Sequence, residues 1–258
     1  MTSVRIIESS LKYTSKLVNE ASNKRFKESL EKAGVSIFKL PGDFVGSNNV
    51  HGEDVIVGIK GQEGESLVSE SVSALQDHDN TVANQEKTKH KMNVDITDIF
   101  ACPRRGWITT DRVLRLVEQH AEYQMITLVD TLGVGTVGHT RRLLDQIVTA
   151  FGKSFVQTKI VVDFHNTFGQ ALANIFLAVT EGRVRHIQAS VSGIGATSSM
   201  RYSPHHVPTE DLVYMLNGLG YEHGIDVIKL AHAGDLILKE TEQPQRSNAG
   251  GTITFWSN

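Results

Sequence analysis

Residues 160–182, IVVDFHNTFGQALANIFLAVTEG, hold the densest set of groups able to do chemistry in this chain. Asp163 and His165 stand two apart at the end of an apolar, β-branched run, so on a strand both face one side. A carboxylate and an imidazole from one strand face are a compact pair of hard and borderline ligands for a divalent cation. The other reading of the same pair is a buried hydrogen bond that only orients the loop. Gly169 then interrupts the pattern, and Ala171, Leu172, Ile175, Phe176 and Val179 recur at helical spacing. The segment reads as strand, polar crown, helix. That unit keeps its chemistry at the C-terminal mouth of a β/α barrel or an open α/β sheet.

Other groups fall at similar places. Asp130 closes the run MITLVD (125–130) and precedes a glycine-rich turn, again a mouth position. Arg104 and Arg105 follow the run VDITDIF (94–100) and could meet a substrate carboxylate or phosphate; solvated loop charge is the alternative. His205 and His206 sit side by side in a loop, and only one of them can point into a mouth. Cys102, before Pro103, reads as a small apolar packer.

The elements that must carry these groups alternate. VRIIES (4–9), SIFKL (36–40), DVIVGI (54–59), VDITDIF, MITLVD and residues 160–164 and 186–191 read as strands. Helices are expected over 24–34 with Gly34 at the end, over about 66–77, from Thr109 or Thr110, and around Leu143, Leu144, Ile147, Val148 and Phe151. A further helix is capped by Thr209, carries Glu210 and Asp211 in its first turn and ends at Gly220. Residues after Leu75 and up to 91 are polar and read as an exposed loop. Alternation of this kind argues for parallel βα units.

Composition bounds the rest. With 258 residues and 40% hydrophobic content the chain suits one barrel-sized domain, residues 1–258. A net charge of −3 offers no basic field, so nucleic acid is not an expected partner. The single cysteine suits a reducing cytoplasm, and no apolar run approaches a membrane span.

The order and spacing of several motifs carry a resemblance. HNTFGQALAN, then SVSGIGA (190–196) and TEDLVYMLNGLG (209–220), preceded by VDTLGVGTVG (129–138) and the Cys-Pro of FACPRRG (100–106), resemble the 3-hydroxy-3-methylglutaryl-CoA lyase family. More broadly they resemble the metallolyases that include isopropylmalate and homocitrate synthases. The likeness covers about residues 92–235. It implies a (β/α)₈ TIM-type barrel with a divalent metal (Mg²⁺, Mn²⁺ or Zn²⁺) at the mouth. Seven strands are legible here and about one βα unit is missing between residues 41 and 92, so the first half is expected to be irregular or shortened.

The resemblance also implies site roles. The family's H-x-H-N/D ligand pattern falls on Asp163 and His165, with Asn166 following as a substrate-binding residue. The family's asparagine ligand, counted back from Thr209, falls on His206. Its Arg-Asp pair after the first strand falls on Lys12 and Tyr13. Lys12 keeps a cation without the bidentate fork of arginine, and Tyr13 could ligate only as a phenolate. The family's catalytic cysteine falls on Thr197, which can donate a hydrogen bond but is no thiol acid. Its second-strand glutamate falls on Lys39. An inward lysine reads as a Schiff-base amine; the expectation is instead a strand-end lysine that reaches solvent. The implied ligands are thus Asp163, His165 and His206, the implied catalytic groups Asp130, Lys12 and Thr197, and the implied substrate contacts Asn166, Arg104 and Arg105. The implied activity is a metal-enolate carbon–carbon lyase or aldolase acting on a small acyl or acyl-CoA substrate, as a homodimer. The alternative is a catalytically silent barrel that binds a ligand or a partner protein.

Overall fold

A computed structural model of the chain describes residues 2–14, 17–41, 54–58, 67–73, 93–195 and 205–257. Strand β1 (Arg5–Glu8) is followed by helices α1 (Ser10–Thr14) and α2 (Glu20–Lys32) and by β2 (Ile37–Pro41), β3 (Asp54–Gly58), β4 (Leu67–Ser73) and β5 (Asn93–Thr97). A small hairpin of β6 (Ala101–Cys102) and β7 (Gly106–Trp107) precedes α3 (Thr110–Gln119). Regular βα units follow: β8 (Met125–Asp130), α4 (Val137–Lys159, broken at Gly152), β9 (Ile160–Phe164), α5 (Ala171–Thr180) and β10 (His186–Ala189). Helices α6 (Thr209–Gly218), α7 (Val227–Thr241) and α8 (Asn248–Ser257) complete the chain. Among the described residues no helix is long and apolar enough to cross a membrane.

Eight strands close into a barrel in the order β1-β10-β9-β8-β5-β4-β3-β2. Pairing is parallel except around β3, which runs antiparallel to both β2 and β4. The first half is therefore irregular, as expected: a three-stranded meander stands where a regular barrel has βα units, and the described residues include no helix between β2 and β5. The expected helix over 66–77 is overturned. Residues 67–73 form β4, the strand that brings the barrel to eight, with Ser69–Ser73 paired to Asn93–Thr97. The segment LVSESVS has no strong period of its own. The open ladders of β3 and β5 decide its state, because strand preference is mostly context.

Alternation along the strands sorts the two faces. Ile160, Val162 and Phe164 of β9 belong to the main core under the helices, with Ile126, Leu128, Ile96 and Ile187. Val161, on the opposite face of β9, packs with Ile7, Ile37 and Met125 inside the barrel. Asp163 thus faces inward, and so by the same parity do Lys39, Asn93, Asp95, Thr127, His186 and Gln188, all buried. Barrel interiors are ordinarily filled by branched apolar side chains; this one is polar above an apolar plug.

Three sequence expectations about helices change. On α5, Phe176 faces solvent; the buried polar residue is Asn174, whose Nδ2 donates to the Gly135 carbonyl at 2.8 Å. Thr209 is not a cap: Pro208 precedes the helix and Thr209 is its first residue. Its hydroxyl donates to Glu8 at 2.6 Å. Glu210 and Asp211 are buried joints, with Glu210 accepting from the Ser192 N–H at 2.8 Å and Asp211 accepting from Ser247 Oγ and from the Ala249 N–H at the start of α8.

Candidate metal and acid–base site

The site is built at the C-terminal end of β9. Asp163, inward on the strand, brings its carboxylate against His206, whose Nδ1 lies 2.8 Å from Oδ1. Gln188, inward on the neighbouring β10, donates from Nε2 to Oδ2 at 2.5 Å. His165, one step beyond β9, packs edge-on against the His206 ring with centroids 4.4 Å apart. The backbones of His165 and His206 form an isolated bridge, and the Asn166 N–H donates to the His205 carbonyl at 2.6 Å. These contacts anchor the loop before α6 and select His206, not His205, as the residue turned to Asp163. One ligand-type atom from each of Asp163, His165 and His206 lies within 4.8 Å of the others.

The loop before α6 also meets α1. The Tyr13 hydroxyl lies 2.7 Å from His206 Nε2, and the Lys12 ammonium sits 5.5 Å from the Tyr13 ring centroid. Gly195 makes this packing achievable. A Cβ there would lie 2.6 Å from His206 Cδ2 and 2.7 Å from Tyr13 Cε2, and its φ of +129° disfavours any side chain.

Charge follows the geometry. Burial raises the Asp163 carboxyl, but the charge and hydrogen bond of His206, with His165 and Lys39, outweigh it and hold the group down at about 2. Burial and the charge of His206 push His165 down to about 4, so its ring is neutral at neutral pH. Among the described residues His165 Nδ1 is buried without a hydrogen-bond partner. An ionised carboxylate, a neutral imidazole and a second imidazole are donor types that fit a divalent cation. By that measure Asp163, His165 and His206 could hold one. Both His206 nitrogens nevertheless have protein partners, Asp163 and Tyr13.

The other expected residues are distributed as follows. Asp130 ends β8 but aims beneath its own loop, accepting from the Gly135 N–H at 2.7 Å and the Val134 N–H at 3.3 Å. Burial raises its carboxyl to about 6, against those backbone bonds and aided by the charge of Asp163. Asn166 Oδ1 accepts from the Ala171 N–H at 3.2 Å and so caps α5. Arg104 and Arg105 are exposed at the tip of the β6–β7 hairpin, beside Trp107, which is 63% exposed and lies against the His139 ring. Cys102 is buried, its sulfur accepting from the Arg104 N–H. Thr197 lies outside the described residues. Lys39 overturns the expectation of a solvent-reaching side chain: it is 1% exposed, inside the barrel, and bonded to Asp95. Strand parity together with that carboxylate holds it in.

Sequence reasoning passed over Gln188 and the contact made by Tyr13. For Gln188 a signal existed. In HIQA the polar His186 and Gln188 alternate with Ile187 and Ala189, which marks a strand whose inward face is polar. For Tyr13 none did, because the contact joins residues 193 apart.

Known proteins resemble this chain in sequence and in fold. Cytoplasmic 3-hydroxy-3-methylglutaryl-CoA lyase of Homo sapiens is 35% identical over 169 residues, covering 62% of this chain and 44% of that protein. The 3-hydroxy-3-isohexenylglutaryl-CoA/hydroxy-methylglutaryl-CoA lyase of Pseudomonas aeruginosa is 34% identical over 145 residues, or 55% of this chain and 46% of that protein. The matched stretch thus spans less than half the length of these relatives. The crystal structure of hydroxymethylglutaryl-CoA lyase from Pseudomonas aeruginosa superposes with a TM-score of 0.77 at 22% identity, over 99% of this chain and 98% of that one, which establishes the shared barrel fold. A family model described as HMGL-like matches residues 66–237, more than half of the sequence, and the chain therefore belongs to the HMGL-like family.

Proposed function

We propose that this chain is a carbon–carbon bond lyase of aldol type that cleaves a hydroxy-acyl, CoA-linked substrate at the barrel mouth. The observation that carries the reading is the Asp163–His165–His206 cluster at the C-terminal end of β9, in a chain of this family. Asp163 and His165, with His206 as third ligand once its Nδ1 is deprotonated, would hold a divalent cation. Such a cation, when bound, acts as a Lewis acid for the substrate's oxygens and for the developing enolate.

The chain's own groups do the remaining work. Gln188 fixes the rotamer of Asp163 from beneath. Asp130 shapes the loop 131–136 through its two backbone bonds, and Asn174 clamps that loop from α5. Asp130 stays within this reading as a second carboxyl, with its affinity for a proton raised. Lys12 supplies a cation at the mouth. Thr197 supplies a hydroxyl donor. Asn166 orients the loop that carries His165. Arg104 and Arg105 offer guanidinium groups to the phosphates of the CoA moiety. A cytoplasmic setting and a homodimer complete the proposal; the human relative named above is called cytoplasmic.

The test combines two measurements on purified protein: cleavage of 3-hydroxy-3-methylglutaryl-CoA, followed by release of a shorter CoA thioester, and divalent-metal content. Cleavage together with near-stoichiometric metal that is lost in His165→Ala supports the reading. Neither cleavage nor metal would leave the silent barrel, which one observation favours: Asp163 and His206 already satisfy each other.

A further inference from the structure

Trp107 and His139 form a ring pair at the rim of the barrel mouth that the lyase reading leaves unused. Trp107 ends the β6–β7 hairpin, which follows β5, and His139 lies in the first turn of α4, which follows β8. Their ring centroids are 4.8 Å apart at an interplanar angle of 36°. Trp107 is nonetheless 63% exposed, and among the described residues no other aromatic side chain this open lies against a second ring. Arg104 and Arg105 stand at the tip of the same hairpin, and Arg142 is one turn along α4 from His139. Among the described residues none of these three guanidinium groups has an ion-pair partner, whereas the adjacent Arg141 is held by both oxygens of Glu181. We infer that this rim is a nucleotide platform: Trp107, backed by His139, stacks on the adenine ring of a CoA thioester, and Arg104, Arg105 and Arg142 meet its phosphates.

The platform is held in shape by its own bonds. The Ile108 N–H donates to the Phe100 carbonyl at 2.8 Å, and the Arg104 N–H donates to Cys102 Sγ at 3.3 Å, so both arms of the hairpin are pinned. His139 Nδ1 accepts from the Thr136 N–H at 3.3 Å, which fixes the ring to the start of its own helix. Phe100 packs against the same ring with centroids 5.8 Å apart. Burial, and then the charge of Arg142, hold the His139 ring below its ordinary range, so it backs Trp107 as a neutral face. An aromatic face fixed in advance costs little ordering when a ligand arrives. A purine stacks on such a face whatever its edge presents, and guanidinium groups meet phosphate oxygens two at a time. The chain as a whole carries −3, so the positive rim runs against its overall sign.

Position selects CoA among adenine compounds. CoA carries its nucleotide at one end and its thioester at the other, joined by the pantetheine arm. A site for its adenine therefore belongs at the rim, away from the bond to be cleaved. Ring contacts lead inward from the platform: Trp107 to His139, His139 to Phe100, and Phe100 to Phe164, the last with centroids 6.4 Å apart. Phe164 stands between Asp163 and His165 in the sequence. Platform and centre thus share one mouth, a few ring widths apart. CoA also bears a 3′-phosphate besides its 5′-diphosphate, and the rim offers cations on both the hairpin and α4. No bond is made or broken at the platform; it supplies affinity and orientation. The inference rests on the proposed function for the CoA-linked substrate and adds the residues that would recognise it.

Binding to the full chain tests it without turnover. The sequence has two tryptophans, so Trp256→Phe leaves Trp107 as the sole indole reporter. Titration with CoA, and with adenosine 3′,5′-bisphosphate, should quench its fluorescence. Calorimetry should show CoA binding weakened by about 5–150-fold in Trp107→Ala, the range for losing one base–aromatic stack, and largely restored in Trp107→Phe. Replacing Arg104, Arg105 and Arg142 together with alanine should flatten the salt dependence of CoA binding. A parent that does not bind CoA, or a Trp107→Ala protein that binds it as tightly as the parent, overturns the platform. Pyrophosphate displacing CoA as well as the bisphosphate does would mean charge alone and also overturns it. ATP displacing CoA equally well overturns the assignment to CoA. A parent that cleaves 3-hydroxy-3-methylglutaryl-CoA with the same KM in Trp107→Ala overturns the platform and leaves the lyase reading intact. A parent that binds CoA at Trp107 yet cleaves no thioester removes the lyase reading and keeps the platform.

Discussion

Replacing Lys39 with methionine probes the polar interior most directly. Lys39 and Asp95 are 1% and 5% exposed and bonded to each other through Oδ2, and among the described residues Asp95 Oδ1 has no partner. Lys39→Met keeps the length and removes the charge, so Asp95 is left as a buried carboxylate without a counter-ion. Breaking a buried pair in this way costs about 3–5 kcal/mol. For 258 residues, an unfolding entropy of about 2.1 cal/mol/K per residue converts that loss into a melting point lower by about 6–9 °C. The assay is thermal and urea unfolding of metal-free protein at one pH, on Lys39→Met, Asp95→Asn and the double variant. Removing both charges should restore most of the loss, since the penalty lies in the orphaned partner. Two results would refute the reasoning: a Lys39→Met protein that melts with the parent, or single losses that simply add in the double variant. Either would mean that water, not the ion pair, satisfies these groups.

Other predictions follow from groups described above. Burial raises Glu210 from an ordinary 4.5 to about 8, so between those values the folded chain keeps a proton that the unfolded chain has released. Its contribution to stability is complete below the unfolded value and drains away as pH climbs to about 8, at about 1.4 kcal/mol per pH unit. Urea unfolding across that window should therefore show a decline that Glu210→Gln flattens; an unchanged slope would assign the decline to other groups. Gly195→Ala should displace the Tyr13 and His206 rings and cost about 1–3 kcal/mol of stability from overpacking, measured by urea unfolding, with turnover falling further than stability. Asp130→Asn turns an amide against the N–H groups of Val134 and Gly135 and should cost about 1–3 kcal/mol in the same assay, with faster amide hydrogen exchange confined to residues 131–136.

Much of the frame could be read before any coordinates. Apolar runs reaching Asp130 and Asp163 announced strands, and parity put Asp163 and His165 together as candidate ligands, which the structure does bring side by side. The count back from Thr209 reached His206, although Thr209 itself turned out to bond Glu8 instead of capping its helix. What stayed hidden depends on partners distant in sequence. LVSESVS becomes a strand only because β3 and β5 offer ladders to it. Lys39 stays inside because Asp95 is there, and an expectation based on strand-end lysines cannot see a carboxylate 56 residues away. Asp130 looked like a mouth carboxyl, yet its outward parity with Ile126 and Leu128 sends both oxygens to its own loop. That parity is available in MITLVD itself.

Glu8 sets an order of events. One of its oxygens accepts from the N–H groups of Ser10 and Val191, and the other from the hydroxyl of Thr209. These are groups from the start of the chain and from two segments made some 180 and 200 residues later. Of the barrel strands β1 is made before the others; β2 can join one of its edges early, but the other edge has no partner until β10 exists. The glutamate of β1 therefore spends the whole of that interval in water, where ionisation is cheap. Burial beneath α6 then means losing that hydration, and it raises the Glu8 carboxyl accordingly. Joining such distant segments also carries the loop-closure entropy of nearly the full chain. Closure of the first strand on the last is thus a late, all-or-nothing event. A folding intermediate should hold β8, β9 and α5 while β1 still exchanges its amide hydrogens freely.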